Sequence, residues 1–125
     1  MTEDQLLAEL DAMGLAVETR FLPGTQRGYY SLRGKFVVIR EGMSYPQRRS
    51  TLAHELMHAR RNDDGHQPPH IEGRINKEAA QLLISPFEYA LAERLHGPHV
   101  VAIARELEVS LSIVQAYQQM LGLNV

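Results

Sequence analysis

The sequence contains no cysteine, which excludes disulfides, a thiol nucleophile and a cysteine-ligated metal site. Long apolar runs are also missing. The longest extends only from Val100 to Ala104, whereas a membrane span needs about 20 apolar residues. The N-terminal segment from Met1 to Gln5 is acidic and has no apolar signal core, so we expect no export signal. These absences predict a cytoplasmic protein without a membrane partner.

An excess of positive charge is absent as well. The 13 Lys and Arg residues are set against 15 Asp and Glu residues, which gives a net charge of −2. The chain as a whole therefore lacks the excess of positive charge that is typical of proteins that bind nucleic acid. A length of 125 residues, with 44% hydrophobic and 22% charged residues, is typical of one globular domain. The six histidines are the one compositional excess, and they need an explanation.

The spacing of apolar residues, together with the positions of glycine and proline, predicts an α+β fold. Segments rich in β-forming residues at 16–22, 28–32 and 35–40 predict a small three-stranded antiparallel sheet. Helical spacing predicts helices at 2–13, 47–60, 70–84, 85–97, 98–107 and 111–121. We treat residues 1–125 as a single domain with three parts: an N-terminal helix and sheet (1–43), metal-site helices (46–86) and a helical C-terminal part (86–125).

The segment His54-Glu55-Leu56-Met57-His58 has the HExxH pattern and lies inside a predicted helix. Residues four apart share one helical face, so His54 and His58 can direct two imidazoles at one Zn²⁺ ion. Glu55 is displaced from that face by one residue, which suits a general base acting on water that the metal has activated. The competing interpretation is a chance histidine pair on a solvated helix face.

A catalytic zinc site needs a third protein ligand, and the next predicted helix offers Glu72. At 100° per residue, Glu72 begins the apolar face that Ile75 and Ala79 continue, whereas Glu78 falls on the polar face. A carboxylate on an apolar face is unfavourable unless it has a partner such as a metal ion. Asn76, one turn later on the same face, could orient an imidazole. Alternatively, the helix dipole alone stabilises Glu72.

Other residues could also take part in such a site. Asp64 lies ten residues after His54, where one class of metalloprotease has its third ligand. The glycine that this class places at the turn is Arg61 here. His66 and His70 are candidates for ligands, for substrate contacts or for a hydrogen-bond donor to the transition state. Simple exposure in a loop is the competing interpretation of both histidines.

Two segments of the chain resemble the ImmA/IrrE-type metallopeptidases, which are common in phages, integrative elements and bacteria. The first segment, Arg48 to His58, is similar to the family pattern TLAHELGH. The second, Glu72 to Pro86, followed by Glu88-Tyr89-Ala90, is similar to ExxA(D/N)xxAAxxLIxP. Met57 replaces the usual glycine and Ile75 the usual alanine, and neither change removes a reactive group. The similarity extends over about residues 36 to 120.

Matching the two segments residue by residue implies His54, His58 and Glu72 as zinc ligands and Glu55 as the general base. Asn76 falls at the position where the family has Asp or Asn. The resemblance also implies a gluzincin-like fold and, as in several members, cleavage of a repressor or another regulatory protein. Our leading hypothesis is therefore a zinc-dependent endopeptidase from a phage or another mobile element, acting on a protein or peptide substrate.

The segment 102–114 resembles a helix-turn-helix, which motivates an alternative function. That alternative is a non-catalytic regulatory protein that binds DNA or acts as an antirepressor by contact. Residues 86–125, however, carry only two basic side chains, Arg94 and Arg105, against four acidic ones, and the helix predicted at 111–121 contains neither Lys nor Arg. Phosphate contacts provide most of the affinity for nucleic acid, so helical packing or a protein partner is favoured here.

Overall fold

Six helices and three strands make up the computed structural model, which describes residues 1–122. The helices are α1 (Glu3–Ala12), α2 (Tyr45–Arg61), α3 (Pro69–Leu83), α4 (Pro86–His96), α5 (Val100–Leu107) and α6 (Leu111–Met120). The strands are β1 (Ala16–Arg20), β2 (Gly28–Ser31) and β3 (Phe36–Arg40). The predicted α+β class is confirmed. The assignment of residues 1–125 to one domain stays a prediction.

Side-chain caps fix where the helices of the site begin. Ser44 accepts a hydrogen bond from the backbone N–H of Gln47, and the side chain of Gln47 accepts one from the N–H of Ser44. This capping box, with Pro46 in the first turn, starts α2 two residues earlier than we predicted. Ser85 starts α4 in the same way, as its spacing to Glu88 predicts.

No helix within residues 1–122 has the length and apolar character needed to cross a membrane.

The sheet is mixed, so our prediction of an entirely antiparallel sheet was wrong. The strand order is β1-β3-β2, with β3 antiparallel to β2 but parallel to β1. The physical reason lies in β3, whose Val37, Val38 and Ile39 are all buried. With this most apolar strand in the centre, both of its edges are paired. The strand β2 occupies one edge and β1 occupies the other, where β1 runs parallel to β3. The Arg40 guanidinium donates to the carbonyls of Gln26 and Gly24 and so holds the loop that crosses between the two edges.

Helix α2 occupies the centre of the molecule, because it packs against α1, α3 and the sheet. Its buried apolar side chains include Leu52 and Leu56, which are fully inaccessible to solvent. Helix α3 lies against α2 on one side and α6 on the other. This layering brings the HExxH segment of α2 face to face with the first half of α3.

Arg49 joins α2 to the ends of neighbouring elements. Its guanidinium donates to the backbone carbonyls of Met1 (2.7 Å), Leu83 (3.3 Å), Leu107 (2.8 Å) and Glu108 (3.1 Å). Carbonyls at the C-terminal ends of helices have no partner within the helix, and a cation there is favourable. Arg49 therefore stabilises the packing of α3 and α5 around α2.

Two glycines provide a matched test of this packing. A Cβ atom at Gly28 would lie 2.7 Å from the carbonyl oxygen of Val38 and 2.8 Å from Cγ2 of Thr51, whereas one at Gly73, inside α3, would meet nothing within 4 Å. We expect Gly28→Ala to lower the free energy of unfolding by about 1–3 kcal/mol through overpacking. Gly73→Ala is expected to raise it by about 0.5–1 kcal/mol, because alanine favours the helix. Urea unfolding of the metal-free protein, with a chelator present, measures both changes. Equal effects of the two substitutions would contradict the close approach of β2 to α2.

Candidate metal centre

Three side chains from α2 and α3 converge where the two helices face each other. The Nε2 atoms of His54 and His58 are 3.1 Å apart, and Oε1 of Glu72 lies 2.9 Å from each of them. These residues each offer one ligand atom, all within 4.8 Å of one another, and could hold a metal ion. The structure thus brings together the three residues that we predicted as ligands.

Local structure explains why Glu72 points towards the two histidines. The consecutive prolines at 68 and 69 start α3, and Glu72 lies in its first turn. The backbone N–H of Gln67 donates to Oε2 of Glu72 at 2.9 Å. One carboxylate oxygen is therefore held by the backbone, which leaves Oε1 directed at the imidazoles.

Hydrogen bonds on the far side of each ring determine the tautomers. Nδ1 of His54 lies 2.8 Å from Oδ1 of Asn76, and Nδ1 of His58 lies 2.9 Å from Oδ2 of Asp63. Both partners are acceptors, so each Nδ1 carries a proton and donates it. In the neutral rings both Nε2 atoms then present lone pairs. Two nitrogen lone pairs and a carboxylate oxygen about 3 Å apart repel one another unless a cation lies among them, and this donor set fits a metal ion.

The charge states of the cluster follow from burial and from its hydrogen bonds. Burial lowers the pKa of His54, so its ring is neutral at pH 7. Burial raises the pKa of Glu72, but the Gln67 N–H and His58 more than offset this, and the pKa lies below its ordinary value. For His58, burial lowers the pKa, yet Asp63 and the nearby carboxylates raise it above its ordinary value. A proton on Nε2 of His58 therefore competes with a metal ion for the same lone pair.

Glu55 lies beside the cluster and is only 5% exposed. Burial raises its pKa to about 7, and the negative charge of Glu72 adds to this while His58 opposes it. In the metal-free protein Glu55 thus gains and loses its proton near neutral pH. A carboxyl group with that pKa is suited to general base catalysis.

A cavity of about 470 Å³ opens beside Glu55 and the cluster. Gly28 and Tyr29 of β2 form one wall, and Ser112 and Ile113 in the first turn of α6 form another. The sheet edge, the HExxH helix and the C-terminal helix therefore surround one space, with the candidate ligands at its base.

The sequence of the chain matches the family of IrrE N-terminal-like domains, Peptidase M78, over residues 12–116. The chain belongs to this family. The predicted ImmA/IrrE-type resemblance is confirmed, while an origin in a phage or another mobile element stays a prediction. Neither the curated proteins nor the solved structures include a match to the chain. Membership of a peptidase family agrees with a cluster that could hold a metal and with the adjacent buried Glu55.

The alternative candidates from the loop lie in different surroundings in this IrrE-like domain. Asp64 accepts a hydrogen bond from the backbone N–H of Leu32 at 3.3 Å and lies outside the cluster. His66 lines the cavity, with Nδ1 4.0 Å from Oε2 of Glu72. His70 is exposed at the start of α3 and lies outside the cavity wall. The structure therefore brings His66 to the site but not His70.

The segment that resembles a helix-turn-helix forms part of the cavity wall. Helix α6 packs against α3 and buries Ile113 and Tyr117. The backbone N–H of Ser110 donates to Oγ of Ser50 at 2.9 Å, which fixes the start of α6 to α2. A helix that reads DNA needs an exposed face with groups that reach phosphates or bases, and α6 contains neither Lys nor Arg. This placement favours a structural role over DNA recognition.

Asp63 is a partner of His58 that we did not predict from the sequence. Asn62 ends α2 in a left-handed conformation, with φ of 57°. Asparagine tolerates this conformation better than most residues do, so Asn62 after the basic pair Arg60-Arg61 was an available signal for the helix end. With the end placed there, the next side chain folds back over the last turn.

In the metal-free protein, Glu55 should make stability depend on pH. The pKa of Glu55 is raised to about 7 in the folded state, so the unfolded chain loses this proton at lower pH than the native protein does. Its contribution to the free energy of unfolding is therefore unaffected below about pH 4.5, falls as the pH rises, and is lower by about 3 kcal/mol above pH 7. Glu55→Gln removes this titration, so with chelator present it should be more stable than the wild type at pH 8 and comparable at pH 4.5. Urea unfolding at the two pH values measures this, and an equal difference at both would contradict it.

Proposed function

We propose that the protein is a zinc-dependent endopeptidase that hydrolyses a peptide bond within a protein substrate. A repressor or another regulator of a mobile element is the substrate class that we propose. The observation that carries this proposal is the convergence of His54, His58 and Glu72 beside the buried carboxyl group of Glu55. The peptidase family of residues 12–116 supports the same reaction.

The donor set supports zinc as the metal. Two imidazole nitrogens and one carboxylate oxygen are a ligand set found in catalytic zinc sites, and they leave a fourth position for water or substrate. Tetrahedral zinc with bonds of about 2.0–2.1 Å separates its ligands by about 3.3 Å, close to the 2.9–3.1 Å found among these three atoms. Zinc bound here would act as a Lewis acid on the scissile carbonyl and would lower the pKa of a water molecule.

Glu55 would carry the proton during hydrolysis. Its carboxylate takes a proton from the attacking water and later gives it to the nitrogen of the leaving amine. Glu55 is 5% exposed and lines the cavity next to the candidate ligands, where a substrate and the attacking water would lie. Asn76 and Asp63 hold the two imidazole rings in place through their Nδ1 atoms.

The strand β2 offers a place for an extended peptide. It has a strand neighbour, β3, on only one side within the described sheet, and its residues Gly28 and Tyr29 line the cavity. An exposed strand edge can bind an extended chain through its main-chain hydrogen bonds. His66, at the rim of the cavity, is our candidate for contact with the substrate or with the transition state.

Cleavage of a peptide library, followed by mass spectrometry of the new termini, tests the proposal. With zinc-loaded protein we expect new termini inside the peptides, their loss on chelation and their return when zinc is added back. Identical products with and without chelator would contradict a metal-dependent reaction. Removal of terminal residues alone would contradict an endopeptidase.

A further inference from the structure

Asp63 contacts His58 twice, through its backbone and through its side chain. Its N–H donates to the carbonyl oxygen of His58 at 3.1 Å, while Asn62 N–H donates to the carbonyl of Ala59 at 3.1 Å. With Asn62 left-handed, these two bonds form a Schellman motif that ends α2. The same turn places Oδ2 of Asp63 2.9 Å from Nδ1 of His58. The end of the helix thus determines where this carboxylate lies.

The carboxylate of Asp63 is itself held in place. Its side chain is 15% exposed, and Nε of Arg61 lies 3.3 Å from Oδ2. Arg61 also approaches Glu78 of α3, with 3.9 Å between NH1 and Oε1. A short chain of charged groups therefore connects the ring of His58 to the surface of the next helix.

We propose that Asp63 is a positioning residue, which holds the imidazole of His58 in the orientation and tautomer that bind zinc. This role rests on the proposed function, since it concerns the same metal centre. In the neutral ring of His58 the hydrogen bond keeps the proton on Nδ1, so Nε2 presents its lone pair towards His54 and Glu72. An oxygen acceptor is sufficient for this purpose, because the ring of His54 is held in the same way by the amide oxygen of Asn76.

Zinc affinity, measured by competition with a chromophoric chelator, tests the role of Asp63 without any assay of activity. We expect Asp63→Ala to weaken zinc binding about 10–100-fold. Asp63→Asn retains an oxygen acceptor and should recover most of this loss. Asp64→Ala is the matched control, since the neighbouring carboxylate bonds to the N–H of Leu32 rather than to a ligand, and its zinc affinity should equal that of the wild type.

A spectroscopic measurement separates positioning from general stabilisation. In zinc-loaded protein labelled with ¹⁵N-histidine, the Nδ1–H signal of His58 should be present in the wild type and in Asp63→Asn, and shifted or lost in Asp63→Ala. If the wild type and Asp63→Ala bound zinc with equal affinity, the positioning role of Asp63 would be overturned even if the variant were less stable. The proposed function would not be affected by that result. No zinc binding by the wild type would overturn the proposed function together with this role.

Discussion

Replacing Glu55 with glutamine is expected to lower the rate of peptide cleavage by about 10²–10⁴-fold while zinc binding is retained. Glutamine has nearly the same shape but cannot accept a proton from water at neutral pH. Glu55 lies outside the group of candidate ligands, so its replacement leaves both imidazoles and the carboxylate of Glu72 in place. The loss should therefore appear in kcat rather than in metal content.

The control for Glu55→Gln is a second carboxylate whose replacement should leave the rate of peptide cleavage unchanged. Glu78 is suitable, because it lies on the outer face of α3 and is paired only with Arg61 at 3.9 Å within the described chain. Glu78→Gln should cleave at the rate of the wild type, and both variants should bind one zinc ion. If Glu55→Gln kept more than a tenth of the wild-type rate with full zinc occupancy, Glu55 would not be the base.

Replacing Glu72 with alanine should remove most of the stabilisation that zinc gives to the fold. A metal that binds only the native state stabilises it by about 2.7 kcal/mol at a hundredfold excess over its Kd, which corresponds to a rise in Tm of roughly 10 °C for a domain of this size. Glu72 joins α3 to the two histidines of α2, so its loss removes one of three ligands. Thermal melts with and without zinc measure the difference.

Two further carboxylates serve as controls for Glu72. Glu78→Ala should retain the whole zinc-induced rise in Tm, since its side chain lies on the opposite face of α3. Asp64→Ala should retain it as well, because Asp64 bonds to the N–H of Leu32 outside the cluster. Loss of the zinc effect in Asp64→Ala, with the effect intact in Glu72→Ala, would show that the third ligand is misassigned.

Local rules made His54, His58 and Glu72 candidate ligands, with Asp64 left open as an alternative to Glu72. The spacing of His54 and His58 follows from the 3.6-residue period of a helix, and the phase of Glu72 relative to Ile75 follows from the same period. Both deductions need only the direction of a side chain on its own helix. The apolar face of α3 packs on both α2 and α6, and the structure places the start of that face against the HExxH segment, with Oε1 of Glu72 2.9 Å from both imidazoles.

Features that depend on long-range pairing could not be predicted in this way. The parallel pairing of β1 with β3 depends on which strand lies in the centre of the sheet. The pattern of residues within each segment does not specify how the segments pair. The place of Ser112 in the cavity wall depends on the packing of α6 against α3, far along the chain from the HExxH segment. Asp63 lies between these cases, since its position follows from one left-handed residue, Asn62.

The zinc content of the protein, purified without a histidine tag and without added metal, decides whether His54, His58 and Glu72 hold a zinc ion. We expect one zinc ion per chain, removed by a chelator and restored to one per chain on reconstitution. Sub-stoichiometric zinc that reconstitution cannot restore would contradict it.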